Sequence, residues 1–428
     1  MIQSWLADVT LVTSLLVSVF AYVLVSRREG SYVNIMSPSF LINVPAYYLL
    51  PLFQTHVFGN EASPYAYIYV YATLTLENVV FALVYVRRSK RGIRLPFRYG
   101  YNNFGNYAVI FLVLGLLLYL PVLLQFPEYI FNPRAIYEQT RTGFGVNFYI
   151  SSLFANLAII FVLFSQRSWR LKVFVILGAV ILLSLHGSKG QVLTVLLLLL
   201  LFEAYVRRRK FKLLPSLLAG AGVGAVLLAL FGATMVLGES MWEIAGTISQ
   251  YSDYTRNGML VIDSRLPLQY GRLTLESNTI GIIPRVLMPS KPKNFGALYL
   301  DEQFYPEALD NDTGAPAFVV GVEYADFGVL AILYLALFSA LKGSLASIFV
   351  DRLRSQRHPA EFFVVDFLAD ITLIPTGSGW LLPEVIFVAL LMRWASCWGA
   401  VQIYRDRLWP PRGGGVLVVL KQSEMRPG

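Results

Sequence analysis

Two arginines stand in the same frame in two separate polar stretches of the chain. Arg134 is followed after ten residues by Gly145, and Arg285 after ten residues by Gly296. The planar arginine fork suits bidentate binding of phosphate, so the repeated frame points to an oxyanion held by placed cations. The competing reading is exposed arginines paired with nearby carboxylates, since 32 glycines supply many chance matches to such a spacing. Arg141 shares the first stretch. Ile280 to Lys293, a short apolar element broken by prolines, surrounds Arg285 and adds Lys291 and Lys293. An element of that kind suits the bilayer surface, with its cations near headgroups or a lipid-linked pyrophosphate.

Other groups could move protons or bind anions. His186-Gly187-Ser188-Lys189 puts a histidine and a lysine in a tight turn between two apolar runs, and glycine permits the turn. An anion site and a structural histidine beside a snorkelling lysine both fit that arrangement. Glu323 and Asp326 are three apart where a polar stretch enters an apolar run, hence on one helix face, with Tyr324 between them. Either carboxyl can serve as a general base if burial raises its pKa; a salt bridge to an arginine is the alternative. Asp366 and Asp370, four apart in a later apolar run, fit a proton or cation path, or a pairing with Arg393. Asp310-Asn311-Asp312 spells a DxD, but it precedes Thr313-Gly314, where Asx side chains favour a turn. HExxH, a Cys/His cluster and a P-loop are all missing from the sequence, so no metal site and no cofactor is expected.

The elements that must position these groups are membrane spans. The chain is 56% hydrophobic and 14% charged, with mean hydropathy +0.58. Repeated apolar runs of about 20 residues are long enough to cross about 30 Å of hydrocarbon. The fold class is therefore an all-α polytopic membrane protein, a single integral domain over 1–428. Eleven runs are expected, with a shorter loop at 126–147 and a long one at 234–316. The long loop holds ten carboxylates, six basic residues (Arg256 and Arg265 among them) and many aromatics. A helical apolar spacing from Met241 to Tyr251 predicts an amphipathic helix inside it.

Assigning alternate loops to opposite sides puts 26 of the 35 Lys and Arg residues on one face and 9 on the other. The positive-inside rule then places the C-terminus in the cytoplasm and the N-terminus outside, with both sizeable loops and the His186 turn. The net charge of +9 thus reflects orientation in the membrane and not a nucleic-acid partner.

Together the Arg134 and Arg285 frames, the Gly187-Ser188-Lys189-Gly190 turn and Gly321-Val-Glu323-Tyr324-Ala-Asp326-Phe-Gly328 resemble the Wzy-type polysaccharide repeat-unit polymerases. Related chains tend to carry arginine where Lys189 stands, so this turn keeps the charge and loses the fork. The resemblance implies a metal-independent glycosyltransferase of the inner membrane, acting on polyprenyl-pyrophosphate-linked glycans amid membrane lipid. A flippase and a chain-length regulator are the protein partners it implies. Arg285, Glu323 and His186 would be catalytic, with Arg134, Arg141, Lys189, Arg265, Arg256, Tyr324 and Asp326 binding substrate. A lipid-linked-glycan ligase and a flippase or ion-coupled transporter remain open. Under the polymerase reading, Arg285→Ala abolishes polymer while single repeat units are still made and transferred, as product-length analysis on gels would show.

Overall fold

The computed structural model describes residues 2–57, 62–88, 103–130, 136, 144–187, 189–216, 218, 220–222, 254–281, 283, 287–306, 317–370, 388 and 390. Among them the secondary structure is helical, with no strand. Five segments are long and apolar enough to cross a membrane: 5–29, 64–87, 104–125, 145–164 and 321–355. They correspond to helices α1 (Ile2–Glu29), α4 (Pro64–Arg87), α5 (Phe104–Gln125), α6 (Gly145–Phe164) and the pair α12 (Gly321–Phe327) and α13 (Ala331–Gln356). Side chains such as Phe20, Leu117, Leu124 and Leu337 project outward from them, as lipid-facing positions require.

The other expected runs take different forms. The second is α2 (Ser37–Asn43), a π-helical stretch at Val44–Leu49, and α3 (Leu50–Val57) in unbroken succession. Pro45 and Pro51 lack the N–H that a regular helix needs, and widening one turn relieves the register. The Tyr71 hydroxyl, from α4, donates to the Tyr47 carbonyl inside that turn at 3.1 Å. Next come α7 (Trp169–Leu185) and α8 (Lys189–Leu201), the latter extended by a π turn at Phe202–Val206. The expected eleventh run apart from Val388 and Leu390, the expected eighth run beyond residue 222 and the Met241–Tyr251 helix lie outside the described residues, as does the Asp310 motif.

Helices α1, α4 and α13 (Ala331–Gln356) run side by side in the same direction. Polar side chains stitch α1 to α4: Thr75 donates to Ser14 at 2.6 Å and Asn78 to Ser18 at 3.1 Å. Small residues let backbones approach, as in many membrane interfaces. A Cβ on Gly343 of α13 would stand 2.7 Å from the Phe81 carbonyl of α4. A second group, α5, α6 and α7, packs around Tyr119, Phe161 and Leu182.

The ends of these helices sort by charge. Arg354 of α13 pairs with Glu29 of α1, Arg208 donates to the Arg354 carbonyl, and Arg88, just after α4, donates to Ser344. The basic clusters that the sequence distributes among separate loops thus meet at one end of the bundle. One boundary moves: the stretch from Asp351, expected as a loop, stays helical to Gln356. Only Arg357, with φ 48°, and His358 connect α13 to α14 (Pro359–Asp370). The reason is a buried ionic junction. Arg352 donates to Glu361 at 2.9 Å, and His358 Nδ1 lies 3.2 Å from the other Glu361 oxygen.

Removing one partner of a buried pair strands the other charge, at a cost of about 3–5 kcal/mol. Arg352→Ala is therefore expected to lower the thermal midpoint in detergent markedly, whereas Arg357→Ala, at an exposed position, leaves it nearly unchanged.

Candidate functional site

The end of the bundle opposite the basic clusters is covered by short helices from the long loop. They are α9 (Tyr254–Asp263), α10 (Arg272–Asn278), α11 (Leu298–Phe304) and α12 (Gly321–Phe327). Their shared core is Val261, Leu273, Leu300, Phe318, Val322 and Ala325. Asp263, closing α9, accepts from the backbone N–H and hydroxyl of Ser63, the N-cap of α4. The layer is thereby fixed to the membrane bundle.

The apolar run expected as one helix from Ala317 to Leu341 is in fact divided. Gly328, at φ 58° and ψ −137°, separates α12 from a 3-10 turn (Gly328–Leu330) and from α13. At the other end of α12, Val320 adopts φ 64°. A left-handed conformation is costly for a β-branched residue and persists only where the surroundings over-determine it. They do so here. The Val319 N–H donates to the Tyr254 carbonyl at 3.1 Å, and a Cβ on Gly258 would lie 2.0 Å from the Val319 carbonyl.

This seating buries both carboxylates of α12, which sit in different surroundings. Asp326 accepts from the backbone N–H groups of Leu273 and Thr274 and from the Thr274 hydroxyl, at 2.7–3.0 Å. It caps α10, where a negative charge also meets the helix dipole. Glu323 is fully buried, and neither of its oxygens has a hydrogen-bond partner among the described residues. Buried carboxylates are normally satisfied, so an orphaned one needs a functional or structural account. Glu77 of α4 and Asp326 both act on it as like charges. Beside it the Tyr324 and Tyr69 rings meet edge to face at 5.0 Å. Tyr69 also ties α4 to the α12–α13 break through the Gly328 and Val329 carbonyls.

Below Val320 a cavity of about 70 Å³ opens between α4, α13 and the α2 segment, lined in part by Glu77, Asn78, Lys342 and Tyr47. The sequence reading does not single out Glu77 or Lys342. The signal that finds them is an ionisable residue inside an apolar run. Of the pair that the reading did single out, Asp366 is half-buried in α14, and the Asp370 side chain and Arg393 lie outside the described residues.

The remaining expected site residues divide as follows. Arg256 is half-buried on α9, and Arg265 is exposed in the turn after it, at φ 54°. Both belong to the same cap as Glu323 and Tyr324. His186 does not; it ends α7 among Tyr119 and Phe148, with ring centroids at 4.2 and 4.5 Å. Its Nδ1–H donates to the Leu182 carbonyl at 2.7 Å. Burial pushes its pKa down to about 4, so the imidazole is neutral near pH 7. Lys189 opens α8, but its side chain lies outside the described residues, as do Arg134, Arg141 and Arg285 entirely. Among the described residues no three His, Cys, Asp or Glu side chains gather as a metal site requires.

The two glycines of the arginine frames differ physically. Gly296 has φ 58°, and a Cβ there would lie 2.3 Å from Ser277 Oγ; its N–H donates to Glu276 at 2.8 Å. Gly145 begins α6, with nothing near an added Cβ.

Comparison with known proteins gives one consistent finding. The chain is 34% identical over 391 residues to proteins named O-antigen polymerase from Salmonella typhimurium (strain LT2) and Salmonella typhi. The alignments cover 89% of this chain and 93% of each relative. No protein-family model and no solved structure matches the chain.

A pH dependence follows from the cap. Burial raises the Asp301 carboxyl of α11 from the usual 3.8 to about 7. Between those values the folded chain holds a proton that the unfolded chain lacks, so this stabilisation is lost as pH rises through about 7. Asp301→Asn is expected to raise the thermal midpoint most at about pH 8, less at about pH 5, where the unfolded carboxyl is already ionised, and little below about pH 4, removing that slope.

Proposed function

The chain belongs to the O-antigen polymerase family, and from that membership we infer that it joins oligosaccharide repeat units into O-antigen polysaccharide. It is a multi-pass helical protein of the inner membrane and a glycosyltransferase-type enzyme acting on lipid-linked units. Finer points are proposals. The donor is a glycan on polyprenyl pyrophosphate, and no metal takes part. A flippase supplies the units on the outer face, and a chain-length regulator works beside the polymerase. The capped end of the bundle faces outward with the N-terminus, and the C-terminus lies in the cytoplasm. The gathering of the basic helix ends on the opposite side supports that orientation.

The observation that carries the mechanism is Glu323, fully buried and without a hydrogen-bond partner among the described residues, beside a strained turn. In the proposed step, the acceptor sugar hydroxyl attacks the anomeric carbon of the donor glycan. The new C–O bond forms as the bond to pyrophosphate breaks, and the hydroxyl proton passes to Glu323. A carboxylate without donors keeps its lone pairs available for that proton. Charge developing on the leaving pyrophosphate is met by Arg285 and Arg134, with Arg141, Arg256, Arg265 and Lys189 in support. Tyr324 offers a ring face to a sugar. Asp326 acts indirectly, because its oxygens are committed to α10. His186 stands apart from this cap, packed against Tyr119 and Phe148, and in this reading it anchors the end of α7.

General-base removal typically costs about 10²–10⁴-fold in rate. Glu323→Gln, which keeps the shape of the side chain, should cut chain elongation of a purified lipid-linked repeat unit by about that factor. The product ladder would collapse to single units while the protein still folds. A wild-type ladder from Glu323→Gln would remove Glu323 from the mechanism.

A further inference from the structure

The basic end of the bundle contains a second cavity, unconnected with Glu323 and larger than the one below Val320, at about 350 Å³. It opens where α1 ends, between the π turn of α8 and the last turns of α13. Five cations line it, Arg28, Arg208, Arg209, Lys210 and Arg354, against a single carboxylate, Glu29.

That carboxylate is already committed. One Glu29 oxygen accepts from the Tyr85 hydroxyl at 2.5 Å and the other from Arg354. Carboxylates beside the lining pair with two more of the cations, Asp351 at 3.9 Å from Arg28 and Glu203 at 3.1 Å from Arg209, which leaves the charges of Arg208 and Lys210 without an ion pair among the described residues. Arg28 is the most telling member. Its side chain is 8% exposed and its guanidinium lies 4.4 Å over the Tyr85 ring. Nη2 donates to Ser347 at 3.0 Å, while Nη1 is buried with no hydrogen-bond partner among the described residues. A buried guanidinium nitrogen without an acceptor is costly, and an anion in the cavity would satisfy it.

The lip is built and held in place. Tyr32 N–H donates to the Phe211 carbonyl and Phe211 N–H to Ser31 Oγ, at 3.0 and 3.1 Å. Arg208 takes φ 57° to make the turn, and its side chain reaches the Arg354 carbonyl. Lys210 lies over Gly30. Orientation in a bilayer requires basic residues at this end, but it does not require them to converge on one cavity around a buried arginine whose Nη1 has no hydrogen-bond partner among the described residues. Basic pockets between membrane helices at headgroup depth match phosphate-bearing headgroups, and arginine is the side chain suited to their oxygens.

We propose that this cavity is a binding site for a phosphate group, taken from an anionic phospholipid headgroup or from free phosphate. The bound anion bridges the end of α1, the segment after α8 and the end of α13. It thereby locks the basic end of the bundle.

The test uses the full-length purified protein in nanodiscs of phosphatidylcholine with or without phosphatidylglycerol, and separately in neutral detergent with inorganic phosphate. Thermal midpoint and lipid retained in native mass spectrometry are read in each. Phosphatidylglycerol is expected to be retained and to raise the midpoint, with affinity weakened roughly tenfold by Arg208→Gln with Lys210→Gln. Those are exposed rim positions, so the variant folds even if Arg28→Gln does not. Arg87→Gln with Arg170→Gln, removing equal charge from the same end outside the cavity, is expected to weaken it much less. Stabilisation by inorganic phosphate alone, sensitive to the rim variant, identifies free phosphate as the occupant and upholds the site. Equal loss in both double variants, or no preference for either phosphate source, overturns it.

Discussion

Everything at the capped end depends on how closely α12 is pressed onto α9. Gly258 and the Val319 carbonyl come within a distance that no side chain could share. That contact, with the hydrogen bond from Val319 to Tyr254, forces Val320 into the left-handed region and turns α12 into the bundle. Glu323 is buried as a consequence. The strain is held by the packing around it: Asp326 clamps α10 from the same short helix, and Tyr69 of α4 holds the break that follows. A site built this way is preorganised by the scaffold, which is where electrostatic catalysis gains most.

The two ends of the bundle have opposite logic. At the basic end charges converge and are matched by carboxylates only in part. At the capped end a carboxylate is isolated, and the cations expected to serve substrate come from loop segments. A glycosyl transfer that expels pyrophosphate needs positive charge for the leaving group and a proton acceptor for the nucleophile. Glu323 meets the second need in the proposed reading, and the arginines of the two loops meet the first.

Much of this was legible in the sequence because the bilayer imposes one period and one polarity on every span. The apolar runs among the described residues became helices, and the arginines at their ends, Arg28, Arg88, Arg208 and Arg354, met at one end as the charge asymmetry required. Glu323 stood out by its place where a polar stretch enters an apolar run. The break at Gly328 was harder to read, because a helix boundary inside a hydrophobic run leaves no change in hydropathy. The reach of α13 to Gln356 was hidden for the opposite reason. Arg352 and Glu361 look solvated in sequence and are buried only because each has the other. Gly296 and Gly145 occupy equivalent places in the spacing, yet only Gly296 has a backbone that demands glycine. The different surroundings of Glu323 and Asp326 were likewise invisible, since the partners of Asp326 lie on a helix fifty residues away in sequence.

The central claim is that Glu323 accepts the proton of the attacking hydroxyl. Its most direct test is the pH dependence of single-turnover transfer with purified protein and lipid-linked repeat units, comparing wild type with Glu323→Gln. The account predicts that the wild-type rate rises with pH along a limb set by one ionisation, and that this limb vanishes in the variant with the remaining rate low and flat. A variant that keeps both the limb and a wild-type rate would contradict it.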